Sequence, residues 1–322
     1  MRAIQSPSTD PRFNLALEQY IFDQMPRNRS YLMLWRNDRT IVVGRHQDTF
    51  AEINADYVRA NQIQVVRRLS GGGAVYHDLG NVNFTFIADH TGSDFDFSTF
   101  CRPVIWALES LGVPAELNGR NDMTIRGRKF SGNSQYVKEG RVMHHGTLLY
   151  DSDLSVVSSA LAPSRDKLTS KGLPSVRSRV TNIKPYMHQP MPTESFMERL
   201  WSCLGEVCDL VPYELDRGDL NQVERIRQAV YDGSSPRCQI DKRRRVEGCG
   251  EIRVCLDLKE GAIQALSFYG DFFSRKEPDQ LARRLIGCPL REEALRATVP
   301  AGEIGQYFQN MDLDEFCGLM LC

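Results

Sequence analysis

RRLSGGGAVYHDLGNVN, residues 67–83, is the stretch on which the reading of the fold turns. Gly71, Gly72 and Gly73 follow Gln64-Val65-Val66, a short run of strand formers, and a second run, Asn83 to Ile87, begins where the stretch ends. Glycine lets a backbone turn sharply and approach a ligand with no Cβ in the way. N–H groups exposed in such a loop cradle phosphate oxygens. Arg67 and Arg68 stand at its entrance, and arginine suits bidentate contact with phosphate or carboxylate. No GKS or GKT follows and no GxGxxG occurs, so this is neither a P-loop nor a dinucleotide fingerprint. A hairpin turn whose glycines serve geometry alone is the other reading of the same residues.

Upstream, Asp10-Pro11 opens a helix, with the acid as N-cap and proline at the first helical position. Leu17, Tyr20, Ile21 and Met25 share one side of it. Tyr31 to Arg36 and Thr40 to Gly44 read as strands around an Asn37-Asp38 turn. Downstream, Ser98 to Leu111 is patterned as a helix closed by Gly112, with Pro103 a local misfit, and Thr147 to Tyr150 is a further strand. Strands surround the helices without regular βαβ alternation, which predicts an α+β fold on a mixed, largely antiparallel sheet. Thr193 to about Asp232 turns helical. GSSPRCQIDKRRRVEGCG, polar and basic, reads as a linker, and beyond it come two strands, Glu251 to Leu258 and Ala262 to Tyr269, and a helix near Pro278 to Ile286. The expected division is 1–240 and 241–322, the latter a small α+β domain.

Three further clusters carry polar chemistry. In Asn118 to Gly132 (NGRNDMTIRGRKFSG), a hairpin about Arg126-Gly127 is expected, with Asp122 an oxygen ligand suited to Mg²⁺. Lys129 on the returning arm is placed to neutralise a carboxylate and a phosphate together, or else is a solvated surface lysine. Strand alternation sets Arg126 and Arg128 on one face and Ile125 with Lys129 on the other. His144 and His145 are adjacent, so on a strand they face opposite ways; one faces a site, or the pair is structural. Ser175 to Asn182 (SVRSRVTN), with Lys167 and Lys171 before it, is a basic loop over phosphates or a solvated turn.

A net charge of −1, 41% hydrophobic and 25% charged residues describe an ordinary globular chain and argue against a general nucleic-acid binder. The leading residues MRAIQSPSTDPRFNLALEQYIF have no apolar core with a small-residue cleavage site, and no window approaches a membrane span. The cytoplasm is the expected location. Nine cysteines without a CxxC pair suit reduced structural thiols better than a disulfide framework or zinc site.

Arg67 to Asn83, Asn118 to Gly132, His144 to Leu149 and Ser175 to Asn182, in this order, resemble the lipoate–protein ligase family. Phe13-Asn14-Leu15-Ala16-Leu17-Glu18, Leu34-Trp35-Arg36-Asn37 and Tyr269-Gly270-Asp271-Phe272 extend the resemblance over nearly the whole chain. It implies a catalytic domain of the biotin/lipoate ligase type over 1–240, which binds lipoate and ATP, and a C-terminal accessory domain. It also implies two steps: formation of lipoyl-AMP from lipoate and Mg·ATP, then transfer to a lysine of apo lipoyl domains of 2-oxoacid dehydrogenase E2 subunits or of the glycine-cleavage H protein. On this resemblance Lys129 touches the lipoyl carboxylate and the phosphate. Arg68, Gly73, Ala74, Val75, Tyr76, Asn121 and Asp122 serve ATP, the adenylate and Mg²⁺, while Trp35, Gly72 and His145 serve lipoate. The Ser175 to Asn182 loop closes over the adenylate. The rivals are an ATP-independent octanoyl- or lipoyl-transferase of the same superfamily, a biotin ligase, whose GRGRRGR-like loop this chain lacks, and a non-catalytic adenylate sensor. A transferase working through a thioester needs an activated cysteine in the large domain, and Cys101 is the only cysteine before position 200.

Overall fold

The structure is a computed structural model, described here for residues 1–47, 49–89, 96–119, 121–161, 180–231 and 240–321. The chain forms two compact units. The first holds Met1–Val42, Phe50–Arg67 and Val75–Gly233; the second holds Val43–Thr49, Arg68–Ala74 and Ser234–Cys322. Two short loops from the N-terminal half therefore belong with the C-terminal residues.

In the first unit Asp10 caps α1 (Pro11–Asp23) by accepting the Arg12 N–H at 3.0 Å, and Pro11 fixes the first helical φ, as the sequence reading expects. The remaining helices of this unit are α2 (Thr49–Glu52), α3 (Ala55–Ala60), α4 (Ser98–Ser110), α5 (Leu154–Ala160), α6 (Thr193–Cys208) and α7 (Arg217–Val230). The strands are β1 (Arg2–Gln5), β2 (Tyr31–Trp35), β3 (Thr40–Val43), β4 (Gln64–Arg67), β5 (Val75–His77), β6 (Asn81–Asp89), β7 (Ala115–Asn118), β8 (Asp122–Ile125), β9 (Arg128–Lys138), β10 (Arg141–Leu149) and β11 (Val211–Pro212). Eight of them form one mixed sheet, ordered β11-β1-β2-β6-β10-β9-β8-β7, with β1 parallel to both neighbours and every other pairing antiparallel. A second sheet runs β4-β3-β5. The expected α+β class on a mixed, largely antiparallel sheet is the one observed.

Period-two alternation assigns the two faces of the large sheet. Leu32, Leu34, Phe84 and Phe86 pack with Val104 and Leu108 of α4 and with Phe196 and Leu200 of α6. The opposite face carries Met33, Thr85 and His145, neighbours across three strands, and looks toward α1. Pro103 lies inside α4 and the helix runs through it, ending before Gly112, whose φ of +80° only glycine adopts freely. The helical stretch expected from Thr193 onward is two helices separated by β11.

The second unit has β12 (Ile240–Val246), β13 (Gly250–Lys259), β14 (Ala262–Gly270), α8 (Pro278–Leu285), α9 (Glu292–Thr298), α10 (Ile304–Tyr307) and α11 (Leu313–Leu321). Ile252, Val254, Leu256, Phe268, Leu281 and Phe316 belong to its core. Lys242 to Arg245, read from sequence as linker, is instead strand: it pairs antiparallel with β13, with Arg243 opposite Arg253 and Arg245 opposite Glu251. An edge strand keeps one flank in water, so four cations in a row are compatible with it and mask its pattern. Cys101, Cys203, Cys208, Cys249, Cys288 and Cys317 are free thiols. Cys255 is disulfide-bonded, a departure from the all-reduced expectation.

Candidate active site

The hairpin β8–β9 turns at Arg126 and Gly127, both with positive φ (51° and 74°). Such a two-residue turn matches strand twist. It also breaks the parity read from sequence. Lys129 stands opposite Thr124, and Arg128 opposite Ile125, because a two-residue turn sets the residues flanking it on one face. Lys129 Nζ lies 2.7 Å from Asp122 Oδ1, with both side chains about two-fifths exposed (40% and 38%). Asn121 is tied to β9: its amide donates to the Asn133 carbonyl at 2.7 Å, and the Asn133 N–H donates back to the Asn121 carbonyl at 2.9 Å. Residues 175–179 of the expected closing loop, and Lys167 and Lys171 upstream of it, lie outside the described residues. The Thr181 N–H donates to the Lys129 carbonyl at 2.8 Å.

Gly132, given no role by sequence reasoning, makes room for the lysine. A Cβ placed there would lie 3.1 Å from Lys129 Nζ. The Gly132 N–H donates to Thr147 Oγ at 3.3 Å. Thr147 is opposite Asn83 on β6, and Asn83 is opposite Trp35 on β2. One row thus crosses four strands, with Trp35 at one end and the Lys129 ammonium over the other. Three strand spacings make it roughly 14 Å long.

In the neighbouring row the Trp35 indole N–H donates to Thr85 Oγ at 2.9 Å, and the Thr85 hydroxyl donates to Glu18. His145 Nδ1–H donates to the same carboxylate at 3.0 Å. All four side chains are buried. Neither Glu18 nor Thr85 was singled out from sequence. A lone acid among Leu15, Ala16, Leu17 and Ile21 on α1 was the available signal for Glu18; Thr85 left none inside NFTFI.

His144 faces the other side of the sheet, stacked on Phe84 and Phe100. Its Nδ1 accepts from the Gln135 amide at 3.0 Å. Full burial pushes the ring down to about 3, so it stays neutral. Cys101 Sγ sits 3.8 Å from His144 Nε2, and burial pushes that thiol up to about 12. A buried neutral thiol beside a neutral imidazole is a core pair with no thiolate for acyl transfer.

The glycine-rich loop lies in the second unit. The Arg68 guanidinium is buried and donates to the carbonyls of Gly71 (2.7 Å) and Gly73 (2.8 Å) and to Ser70 Oγ (3.1 Å). The peptides of this loop are trans, as are all those among the described residues, so fixing those two carbonyls turns the N–H groups of Gly72 and Ala74 away from the arginine. Gly72 has φ +87°, and a Cβ on Gly73 would meet no described atom within 4 Å, which leaves that flank open to close approach. Val75 and Tyr76 continue into β5, the edge strand of its sheet, so one flank of their backbone faces no further strand there. The Tyr76 ring is buried, and desolvation, with Asp78 next, pushes its hydroxyl up to about 12; the backbone is what this residue offers a ligand.

Fold and site together define a class: an α+β domain of the lipoyl protein ligase A/B catalytic type, whose family model matches residues 10–205. A second model, bacterial lipoate protein ligase C-terminus, matches residues 235–320. The chain belongs to the lipoate–protein ligase family, and it is an enzyme of that family. It is 39% identical to lipoate-protein ligase LplJ of Bacillus subtilis over 97% of both chains, and 37% identical to lipoate–protein ligase 1 of Staphylococcus aureus over 97% of both. Its fold is similar to that of P. falciparum LipL1 solved with lipoate (TM-score 0.80, 22% identity, 99% of each chain). It is also similar to lipoate-protein ligase A bound with ATP (TM-score 0.61, 25% identity, 72% of this chain and 96% of that one). Among the described residues no helix is long and apolar enough to cross a membrane.

Proposed function

We propose that the chain activates lipoate with ATP to lipoyl-AMP and passes the lipoyl group to a lysine of a carrier domain. The row from Trp35 to Lys129 carries this reading. It offers an aromatic, apolar end for a ring and a cationic end for a carboxylate, separated by about three strand spacings, roughly 14 Å. Joining a carboxylate to a phosphoryl centre brings negative groups together, and fixed cations and N–H donors relieve that repulsion in the transition state. Lys129 supplies the cation. Gly72, Gly73 and Ala74 supply backbone, with Arg68 shaping them, and Val75 and Tyr76 add the open flank of β5. Trp35 and His145, tied through Thr85 and Glu18, form the rigid lipoate end.

Asp122 and Asn121 start the hairpin at the phosphate end. Asp122 fits Mg²⁺, which binds through one or two carboxylates plus phosphate oxygens and waters. Such an ion would neutralise phosphate charge there, and the Lys129 ammonium, paired with Asp122 at 2.7 Å, is placed to meet the acyl carboxylate. The mixed anhydride reacts with an incoming amine, and no nucleophilic side chain of this chain is required. On this reading 1–240 is the catalytic part and 241–322 the accessory part. The carriers are apo lipoyl domains of 2-oxoacid dehydrogenase E2 subunits and the glycine-cleavage H protein; a solved relative from Thermoplasma acidophilum, 26% identical, is described together with its E2 lipoyl domain. A cytoplasmic location suits such partners.

The test is intact-mass measurement of an apo lipoyl domain incubated with the protein, Mg·ATP and lipoate, beside an ATP-free control. A lipoyl mass gain only with ATP is expected. No gain from free lipoate with Mg·ATP, together with gain from a lipoyl thioester donor without ATP, would replace the reading by acyl transfer.

A further inference from the structure

The triple-glycine loop is held from outside as well as by Arg68. The Arg45 N–H donates to the Ser70 carbonyl at 2.8 Å, and the Arg68 N–H donates to the Val43 carbonyl at 3.0 Å, so the loops 43–47 and 68–74 are joined by backbone. They also touch without room between them: a Cβ on Gly44 would lie 2.0 Å from the Gly72 carbonyl oxygen, and one on Gly71 would lie 2.2 Å from that of Phe272. The His46 ring stacks on Phe272 (4.4 Å between centroids, 8° between planes), and its carbonyl accepts from the Gly270 N–H. The Arg45 guanidinium then forks onto Glu277, with Nη1 to Oε1 at 3.0 Å and Nη2 to Oε2. Both side chains are three-quarters buried (25% exposed each). Glu277 occupies the N-cap position of α8, where its side chain makes no cap hydrogen bond. It is turned to the arginine instead.

We propose that Glu277 is a positioning residue for nucleotide binding. Through its two-pronged pair with Arg45 it holds the Ser70 carbonyl, and so the peptides of Gly71 to Ala74, in the shape that turns the Gly72 and Ala74 N–H groups outward to phosphate. A bidentate arginine–carboxylate pair fixes the guanidinium plane, and with it the Arg45 main chain whose N–H meets Ser70. A glycine run has no side chains to define its own path, so its shape is set by what packs against it. Here that is Gly44, Phe272 and the two arginines. Loss of the Glu277 charge leaves the glycines free to populate other conformers, and binding weakens by the fraction no longer competent. Lipoate is held chiefly along the Trp35–Lys129 row, where Gly72 is the one loop residue expected to serve it, so its binding responds far less to the loop's shape. The inference rests on the nucleotide-binding reading of the loop.

The test compares Glu277→Ala, Glu277→Gln and the charge-exchanged Arg45→Glu/Glu277→Arg with the unaltered protein. The readings are Kd for Mg·ATP by calorimetry and KM for ATP and for lipoate in pyrophosphate release. Glu303→Gln is the control, since Glu303 pairs with Lys276 and Arg284 in the same unit. Glu277→Ala is expected to weaken ATP about tenfold, equivalent to about 1.4 kcal/mol. KM for lipoate stays within about twofold, the exchanged pair recovers most of the loss, and Glu303→Gln leaves both KM values alone. An unchanged Kd for ATP in Glu277→Ala overturns the proposal, as does an equal rise of both KM values. If that variant does not fold, an unchanged Kd in Glu277→Gln overturns it equally. Absence of pyrophosphate release by the unaltered protein would sink the ligase reading instead, while the Kd comparison still decides the role of Glu277.

Discussion

Lys129 is held in three ways: by Asp122 at 2.7 Å, by the space above Gly132, and by the Thr181 N–H on its carbonyl. Its backbone is therefore set by the hairpin, and the ammonium is the part that changes partner. Lys129→Ala is expected to keep the unfolding transition and to lower lipoate-dependent pyrophosphate release by at least about 100-fold, on the scale of losing one preorganised donor. A normal release rate would remove the residue from the site. His144 is a residue of a different kind. Its folded-state value is pushed from 6.5 to about 3 by burial, so from pH 6.5 down to about 3 the unfolded chain binds a proton that the fold does not. Stability is flat above that window and falls as pH drops through it, by up to about 1.4 kcal/mol per pH unit. Denaturant midpoints of His144→Phe should fall less steeply with acid than those of the parent; parallel curves would mean the ring is not held neutral.

At the scale of elements, the end of α1 is secured from another strand. Arg141 of β10 is buried, and its guanidinium donates to the carbonyls of Phe22 (2.8 Å) and Met25 (3.0 Å) while lying over the rings of Phe22 and Tyr31. The last carbonyls of a helix have no partner within the helix, so a buried helix end needs an outside donor. Arg141→Met leaves those oxygens dry and is expected to cost about 3 kcal/mol, read as a lower urea midpoint at unchanged slope. A shift under about 0.5 kcal/mol, the usual range for surface substitutions, would show that water reaches the helix end. The hairpin β8–β9 shows where element-level reading succeeds and fails. Arg126-Gly127 was legible as the turn because few residues tolerate positive φ. The facing of Lys129 was not, because strand parity does not pass unbroken through a two-residue turn. Lys242 to Arg245 was lost for a related cause: on an edge strand charge replaces the alternation that announces a strand.

At the scale of the whole chain, the residues that cluster with the C-terminal part include 43–49 and 68–74, so a cut in sequence at 240 is not a cut in packing. Among the described residues, the aromatic and aliphatic core that packs α4 and α6 on the first unit's sheet uses none beyond Leu210. A chain ending at Ile240 is therefore expected to keep a cooperative transition but to bind Mg·ATP at least about tenfold more weakly, a change of about 1.4 kcal/mol or more. Equal affinity in calorimetry would show that Gly71 does not need Phe272. By itself the sequence determined the α+β class, the helix at Asp10-Pro11, the strands around the triple glycine and the ordered motifs that mark the family, since each is written in local spacing, caps and turn residues. Tertiary structure alone decided that Glu18, Thr85, Trp35 and His145 are one network, that His144 belongs to the core, and that the Lys129–Asp122 pair ends a row begun at Trp35. Those groups lie tens of residues apart or more, and only sheet register brings them to one face. Register is set by packing summed over the whole sheet, which no local stretch contains.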